Sequence, residues 1–266
     1  MTRLPFHKLH GTANDFVYVD ARGGLPGDAA DLARQLCDRH RGVGADGLIL
    51  LRDSAVADCR MEIFNADGSR AEMCGNGIRG FAKWVLDHGL AAADPLRVET
   101  DAGLKAVAAE RANGSVSSVT VDMGTPEWDG RLIPVAADGP VVEHPLEVAG
   151  RTHRVTCVSM GNPHCVVFVD DVASLDLATI GPAFERHLFF PRRVNTEFVR
   201  VAAPDRLEMR VWERGSGETL ACGTGACAAA VAAARKDLTG RAVRVTLPGG
   251  DLDIVWRDSD DHILMT

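Results

Sequence analysis

The chain has no Cys-x-x-Cys pair and no His/Cys spacing of the zinc kind, so its seven cysteines are not read as a metal cluster. Without a secretory context, their odd number also argues against a disulfide framework. No lysine/arginine run is present and the net charge is −8, which excludes nucleic acid as a partner because phosphate binding needs a basic patch. The longest small-apolar run, Ala226 to Ala234, is far too short to span a bilayer, so no membrane partner is expected. The opening MTRLPFHKLHGTANDF contains no apolar signal-peptide core, and the expected setting is cytoplasmic. His7 and His10 are three apart in a strand-like segment, hence on opposite faces, and no metal is expected. What remains is 266 residues of ordinary globular composition, 46% hydrophobic and 25% charged, enough for one or two domains with real cores.

One motif occurs twice. NADGSRAEMCGNGIRG (Asn65 to Gly80) and ERGSGETLACGTGACA (Glu213 to Ala228) each place a cysteine, Cys74 or Cys222, nine residues after their first residue. A strand-like run precedes each copy, RMEIFN and LEMRVWE, and Gly-x-Gly followed by a helical pattern comes after each cysteine. The helix after Cys74 carries Ile78, Phe81, Ala82, Val85 and Leu86 at helical spacing and stops at Gly89. The helix Cys222 to Lys236 is nearly all alanine, which lets neighbouring strands approach closely.

Other landmarks repeat as well. MGNPHCVVFVDD is similar to HGTANDFVYVDA, with Asp170 matching Asp20 at an offset of 150 (170 − 20). Both following helices end in Arg-His, Arg39-His40 and Arg186-His187, at an offset of 147 (186 − 39). The cysteines are 148 apart (222 − 74). These spacings predict a tandem duplication. The fold expected is α/β (α+β): two pseudo-symmetric domains, each a strongly curved, mainly antiparallel sheet around a central helix. The domains are placed at 1–123 and 124–266, with the last strand a candidate to return to the first domain. Gly124 to Gly150, rich in Pro, Gly and Asp, is the candidate boundary segment. In the first half, strands are expected at Leu4 to His10, Asp15 to Asp20, Gly47 to Leu51, Cys59 to Phe64, Leu96 to Thr100, Leu104 to Glu110 and Ser117 to Met123. A helix is expected at Asp28 to His40, with Leu32, Leu36 and the aliphatic part of Arg39 on one face.

A cysteine at a helix start sits among unpaired backbone N–H groups at the positive end of the macrodipole. That setting is expected to lower the thiol pKa and make Cys74 and Cys222 usable acids and bases. The N–H groups of Gly75-Asn76 and Gly223-Thr224 can hold a carboxylate and stabilise charge as a carbanion develops beside it. Two such thiols on opposite faces of one α-carbon invert a stereocentre with no cofactor. Cys37, Cys59, Cys157, Cys165 and Cys227 read as small buried hydrophobes.

HGTANDF, RHRGVGADG, NADGSRAEMCGNGIR, VSMGNPH, RVNTEF and ERGSGETLACGTGAC, in that order, resemble the segments of diaminopimelate epimerases over most of the chain. The resemblance implies a cofactor-independent isomerase interconverting LL- and meso-diaminopimelate in lysine and peptidoglycan precursor synthesis, with the site in a cleft between the two domains and a homodimeric assembly. It also implies that Asn14, Asn65, Asn162 and Asn195 hydrogen-bond the substrate's amino and carboxylate groups, that Glu213 and Arg214 pair with its charged groups, and that His164 and Glu213 tune the thiols. Some members carry a substrate-contacting glutamine where this chain has Gly47. Two alternatives stay open on the residues alone: a proline- or hydroxyproline-type two-cysteine racemase, and a non-catalytic thiol redox switch.

Overall fold

In the computed structural model, which describes residues 3–266, the chain divides into two units, Met1–Asp122 and Met123–Thr266. The first opens with an antiparallel hairpin, β1 (His7–Gly11) and β2 (Asn14–Asp20). Helix α1 (Ala29–Cys37) starts at Asp28, whose carboxylate accepts from the N–H groups of Ala30 (2.9 Å) and Asp31 (3.1 Å). It ends earlier than its hydrophobic spacing suggests. Arg39 lies beyond the end, where its guanidinium binds Asp15 and Asp46 instead of covering the helix face. β3 (Gly47–Arg52) runs parallel to β2, β4 (Cys59–Asn65) antiparallel to β3, and the short β5 (Arg70–Ala71) pairs with β4. After α2 (Gly75–Asp87) come β6 (Leu96–Thr100), parallel to β4, and the antiparallel β7 (Gly103–Ala112) and β8 (Ser115–Asp122).

The continuous apolar run of β3 follows from helices on both its faces. Leu48 and Leu50 pack with Ala33 and Cys37 of α1. On the other face Ile49 reaches α2, where a Cβ added to Gly77 would lie only 2.7 Å from its Cδ1. Helix α2 buries nearly all its positions except Arg79, Lys83 and Asp87, a single polar stripe at i, i+4 and i+8.

In the second unit, β9 (His144–Val148) pairs with β10 (Arg151–Ser159), and β10 with β11 (Pro163–Phe168), both antiparallel. Then follow α3 (Leu177–Glu185), β12 (Asn195–Ala203) parallel to β11, β13 (Arg206–Glu213) antiparallel to β12, and β14 (Gly217–Thr219) on β13. Helix α4 (Gly223–Arg235) leads to β15 (Ala242–Leu247), parallel to β13, and to the antiparallel β16 (Gly250–Trp256) and β17 (Ile263–Met265). Each unit therefore repeats one order of pairings, with two parallel steps at the same places and antiparallel steps elsewhere. Gly124 to Gly150 is built into this unit and does not form a linker. Ile133, Val135, Val141, Leu146 and Val148 join one core with Val155, Phe184 and Phe198. The all-alanine face of α4 is buried at every position from Gly225 to Ala233, because alanine lets strands close on it from all sides.

An offset of 148 relates the helices and the central strands of the two units, while the first hairpin and the strands after the central helix each depart from it by one residue. Helices α1 and α3 span 29–37 and 177–185, and α2 and α4 span 75–87 and 223–235. The sheet registers agree: Tyr18 faces Ile49 in the first parallel pair and Val166 faces Glu197 in the second. The offsets of 150 and 147 at the other landmarks thus reflect local sequence likeness, while the helices and the β2–β3 and β11–β12 registers keep 148. The five remaining cysteines (Cys37, Cys59, Cys157, Cys165 and Cys227) are buried, as small hydrophobes should be. No helix is long and apolar enough to cross a membrane among the described residues.

Candidate active site

In the first unit Cys74 is the N-cap of α2, with extended backbone (φ −138°, ψ 117°), and its Sγ accepts from the Gly77 N–H at 3.4 Å. The thiol donates to Asn14 Oδ1 at 3.6 Å, and the Asn14 amide is fixed by donating to Asp46 at 2.7 Å. Asn76, in the first turn of α2, accepts at Oδ1 from the Thr12 hydroxyl (3.1 Å) and from Arg79 (3.2 Å). That ties the helix start to the β1–β2 turn, where Thr12 (φ 49°) and Ala13 (φ 65°) are both left-handed without being glycine. Strain of this kind persists only where the surroundings hold it, and here it sits next to Asn14. Asn65 closes its own turn, donating to Ser69 Oγ at 2.9 Å. Gly47 is packed against its neighbours: an added Cβ would lie 2.7 Å from the Phe64 carbonyl and 3.0 Å from the Phe16 ring.

In the second unit Cys222 caps α4 in the same conformation (φ −126°, ψ 110°), its Sγ accepting from the Gly225 N–H at 3.4 Å. Its other neighbours differ in kind. Thr224 Oγ1 lies 3.5 Å from the sulfur and accepts from Asn162 Nδ2 at 3.3 Å. Asn162 Oδ1 is 2.8 Å from His164 Nε2, and His164 Nδ1 is 2.7 Å from Glu197 Oε1, with His164 and Glu197 fully buried. Glu213 accepts from the Thr219 hydroxyl and lies near enough to the Cys222 thiol to raise its pKa. Asn195 donates to the Pro163 carbonyl (3.2 Å) and accepts from the Arg214 backbone N–H (2.8 Å). Buried Glu185 steadies the same turn through Gly215 N–H (3.1 Å) and Trp212 Nε1 (2.8 Å). The Arg214 guanidinium rests on the Arg192 carbonyl at 3.2 Å.

The electrostatics correct one expectation. Burial pushes the Cys222 thiol well above its usual range, and the Glu213 and Glu197 carboxylates push it further, outweighing Thr224 and the Gly225 N–H. A single long N–H contact at a helix start does not offset lost water and two nearby carboxylates. Burial likewise raises Glu213, opposed by the Thr219 hydroxyl and the Cys222 thiol. Cys222 rests as a thiol.

The fold thus connects Asn162, His164, Glu213 and Thr224 to Cys222, beside Gly223, and sets Asn14, Gly75 and Asn76 by Cys74; Asn195 and Arg214 are engaged with each other and with the Pro163 and Arg192 carbonyls, and Asn65 with its own turn. Motif matching passed over Glu197, Thr219 and Glu185. Glu197 had a signal: an acidic residue inside the strand-like VNTEFV, where ionisable groups are rarely buried without a partner.

The fold class is shared with solved structures of low sequence identity. A phenazine biosynthesis protein of the PhzF family from Bacillus anthracis superposes with TM-score 0.71 at 16% identity, covering 100% of this chain and 95% of that one. A probable proline racemase from Agrobacterium radiobacter gives 0.69 at 14%, covering 99% and 88%. A hydroxyproline epimerase from Agrobacterium vitis gives 0.67 at 15%, covering 98% and 87%. Sequence comparison narrows the class. The diaminopimelate epimerase family model matches residues 6–128 and 156–266. The diaminopimelate epimerases of Moorella thermoacetica and Desulfitobacterium hafniense are 54% and 51% identical, over 99% and 97% of this chain and 95% and 93% of theirs. The chain belongs to the diaminopimelate epimerase family, and is an isomerase.

Proposed function

We propose that this enzyme interconverts LL- and meso-diaminopimelate without a cofactor, with Cys74 and Cys222 as the acid/base pair on opposite faces of the substrate α-carbon. The observation that carries this reading is the repeat: in both units, at an offset of 148, the N-cap of the central helix is a thiol whose sulfur meets a backbone N–H. A duplicated structural cysteine has no reason to keep that position twice.

In the proposed reaction the α-carboxylate lies against the helix starts at Gly75-Asn76 and Gly223-Thr224, whose N–H groups stabilise the charge that builds as the α-proton leaves. Asn14, Asn65, Asn162 and Asn195 hold the amino and carboxylate groups, and Arg214 grips the distal carboxylate. Cys222, kept as a thiol by burial beside Glu213 and Glu197, is the donor in the first direction. Cys74, whose sulfur meets Asn14 Oδ1 and the Gly77 N–H, is the base. One turnover moves the α-proton to Cys74 and the Cys222 proton to carbon, and the opposite epimer reverses both. A cytoplasmic homodimer serving lysine and peptidoglycan precursor synthesis goes with this reading.

Proton NMR of LL-diaminopimelate in heavy water tests it. The wild type is expected to place deuterium on the α-carbon as the meso form accumulates, while Cys74→Ala and Cys222→Ala each abolish inversion. Near-normal turnover in either variant overturns the two-base assignment. A redox switch would leave the α-carbon unlabelled, and a proline-type racemase would label proline instead.

A further inference from the structure

The two halves of the molecule are an internal control on what the fold requires. At the offset of 148, His164 corresponds to Phe16 and Glu197 to Ile49, positions confirmed by the sheet registers. The close approach to the helix corresponds too: a Cβ on Gly77 would meet Ile49 Cδ1 at 2.7 Å, and one on Gly225 would meet Glu197 Oε1 at 2.8 Å. The same architecture therefore packs an apolar pair in the first unit and an ionisable pair in the second. A buried ion-capable pair gains little or nothing in stability over apolar residues of similar volume. Glu197 Oε2 even lacks a hydrogen-bond partner among the described residues, a cost that an apolar side chain would not carry. Folding does not account for the pair.

Its position does. From Glu197 an unbroken line of contacts runs to the sulfur: Oε1 to His164 Nδ1 at 2.7 Å, Nε2 to Asn162 Oδ1 at 2.8 Å, Nδ2 to Thr224 Oγ1 at 3.3 Å, and Oγ1 to Cys222 Sγ at 3.5 Å. With Asn162 donating its amide to Thr224, its carbonyl oxygen faces His164, so Nε2 must carry a proton. Nδ1 and Oε1 then share a second one, whichever atom bears it. Without Glu197, the ring's second nitrogen has no acid–base partner.

We propose that Glu197 is a positioning residue of the epimerase: it fixes the tautomer of His164 and, through Asn162 and Thr224, holds the Thr224 hydroxyl against the Cys222 thiol. This rests on the two-thiol reading above.

Two variants and one spectrum decide it. Glu197→Gln keeps size and removes the shared proton. Its kcat is expected to fall by about 10- to 150-fold, the range for one charge-assisted hydrogen bond, with KM unchanged and the pH profile of kcat displaced. The double variant His164→Phe/Glu197→Ile copies the first unit's apolar pair. It is expected to unfold in urea at no lower concentration than the wild type, yet to show the same loss of kcat. In the wild type, a far-downfield proton resonance coupled to a histidine nitrogen is expected from the Nδ1–Oε1 contact, and it should vanish in both variants. An unchanged kcat and pH profile in either variant overturns the proposal, as does a large loss of stability in the double variant. Should neither variant fold, absence of the downfield resonance from the wild type overturns it and presence supports it. Failure of the parent reading is separate, because it would appear as turnover in Cys74→Ala or Cys222→Ala.

Discussion

Adding one methyl group at Gly225 tests how tightly the second thiol is held. A Gly→Ala change inside a helix ordinarily stabilises by roughly 0.5–1 kcal/mol, by removing backbone entropy from the unfolded chain. At Gly225 the new Cβ would lie 2.8 Å from Glu197 Oε1 and 3.3 Å from the Cys222 Cβ, where ordinary contact begins at 3.4 Å. The carboxylate must retreat by about 0.6 Å (3.4 − 2.8), or the first turn of α4 must lift by as much. Neither is free to move, since Glu197 is bound to His164 at 2.7 Å and the turn carries the 3.4 Å contact from Gly225 to the sulfur. Overpacking of this kind costs about 1–3 kcal/mol, leaving a net loss of roughly 0–2.5 kcal/mol after the helix gain. In a chain of this size that lowers the Tm by up to roughly 10 °C. A shift approaching an ångström at a reacting group costs on the order of 10²-fold in rate. The paired change Gly77→Ala is the comparison: its Cβ would meet the terminal methyl of Ile49 at 2.7 Å, a side-chain end that can rotate aside. Calorimetry and the heavy-water assay should therefore rank Gly225→Ala below Gly77→Ala in both stability and turnover. Equal behaviour of the two, or a fully active Gly225→Ala, would refute the idea that Glu197 is clamped beneath the helix start.

Arg214→Lys should weaken diaminopimelate turnover by roughly 1.5–3 kcal/mol, because lysine cannot reproduce a bidentate grip on a distal carboxylate; wild-type kinetics would remove Arg214 from that role. Although burial opposes it, Arg39 and Lys8 hold the Asp15 carboxyl down at about 2, so its contribution is present above the usual carboxylate pKa and is lost as pH falls toward 2. Discounted for the half-exposed Arg39, that is about 1 kcal/mol, and urea midpoints of Asp15→Asn should converge on the wild type only at the acid end. Glu213 has the opposite sign: burial raises its pKa, so the stability it contributes is complete below the usual glutamate value and is lost as pH rises through the raised one. Glu213→Gln should therefore gain stability relative to wild type as pH rises from about 4 to 8, while losing activity; a flat difference across that range would contradict it.

The duplication, the two repeated cysteines and the helix starts after them could be read from the chain because they are local: an N-cap, a Gly-x-Gly and an amphipathic helix occupy one short segment each. The alanine-only helix was legible for the same reason, and burial of α4 on every side is what that composition permits. Helix ends were less so, since α1 stops at Cys37 where Arg39 finds Asp15 and Asp46, partners in other segments. Only the tertiary structure decided the protonation of the second thiol. A helix start by itself lowers a cysteine pKa, but Glu213 lies nine residues away and Glu197 twenty-five (222 − 197), on different strands, and their charges with loss of water reverse the sign. The equivalence of Phe16 with His164 and of Ile49 with Glu197 is hidden in sequence as well, because these pairs share no chemistry and only hydrogen-bond register aligns them. Periodicity and capping are properties of neighbours along the chain, whereas the electrostatic balance at a sulfur is a sum over whatever folding brings near it.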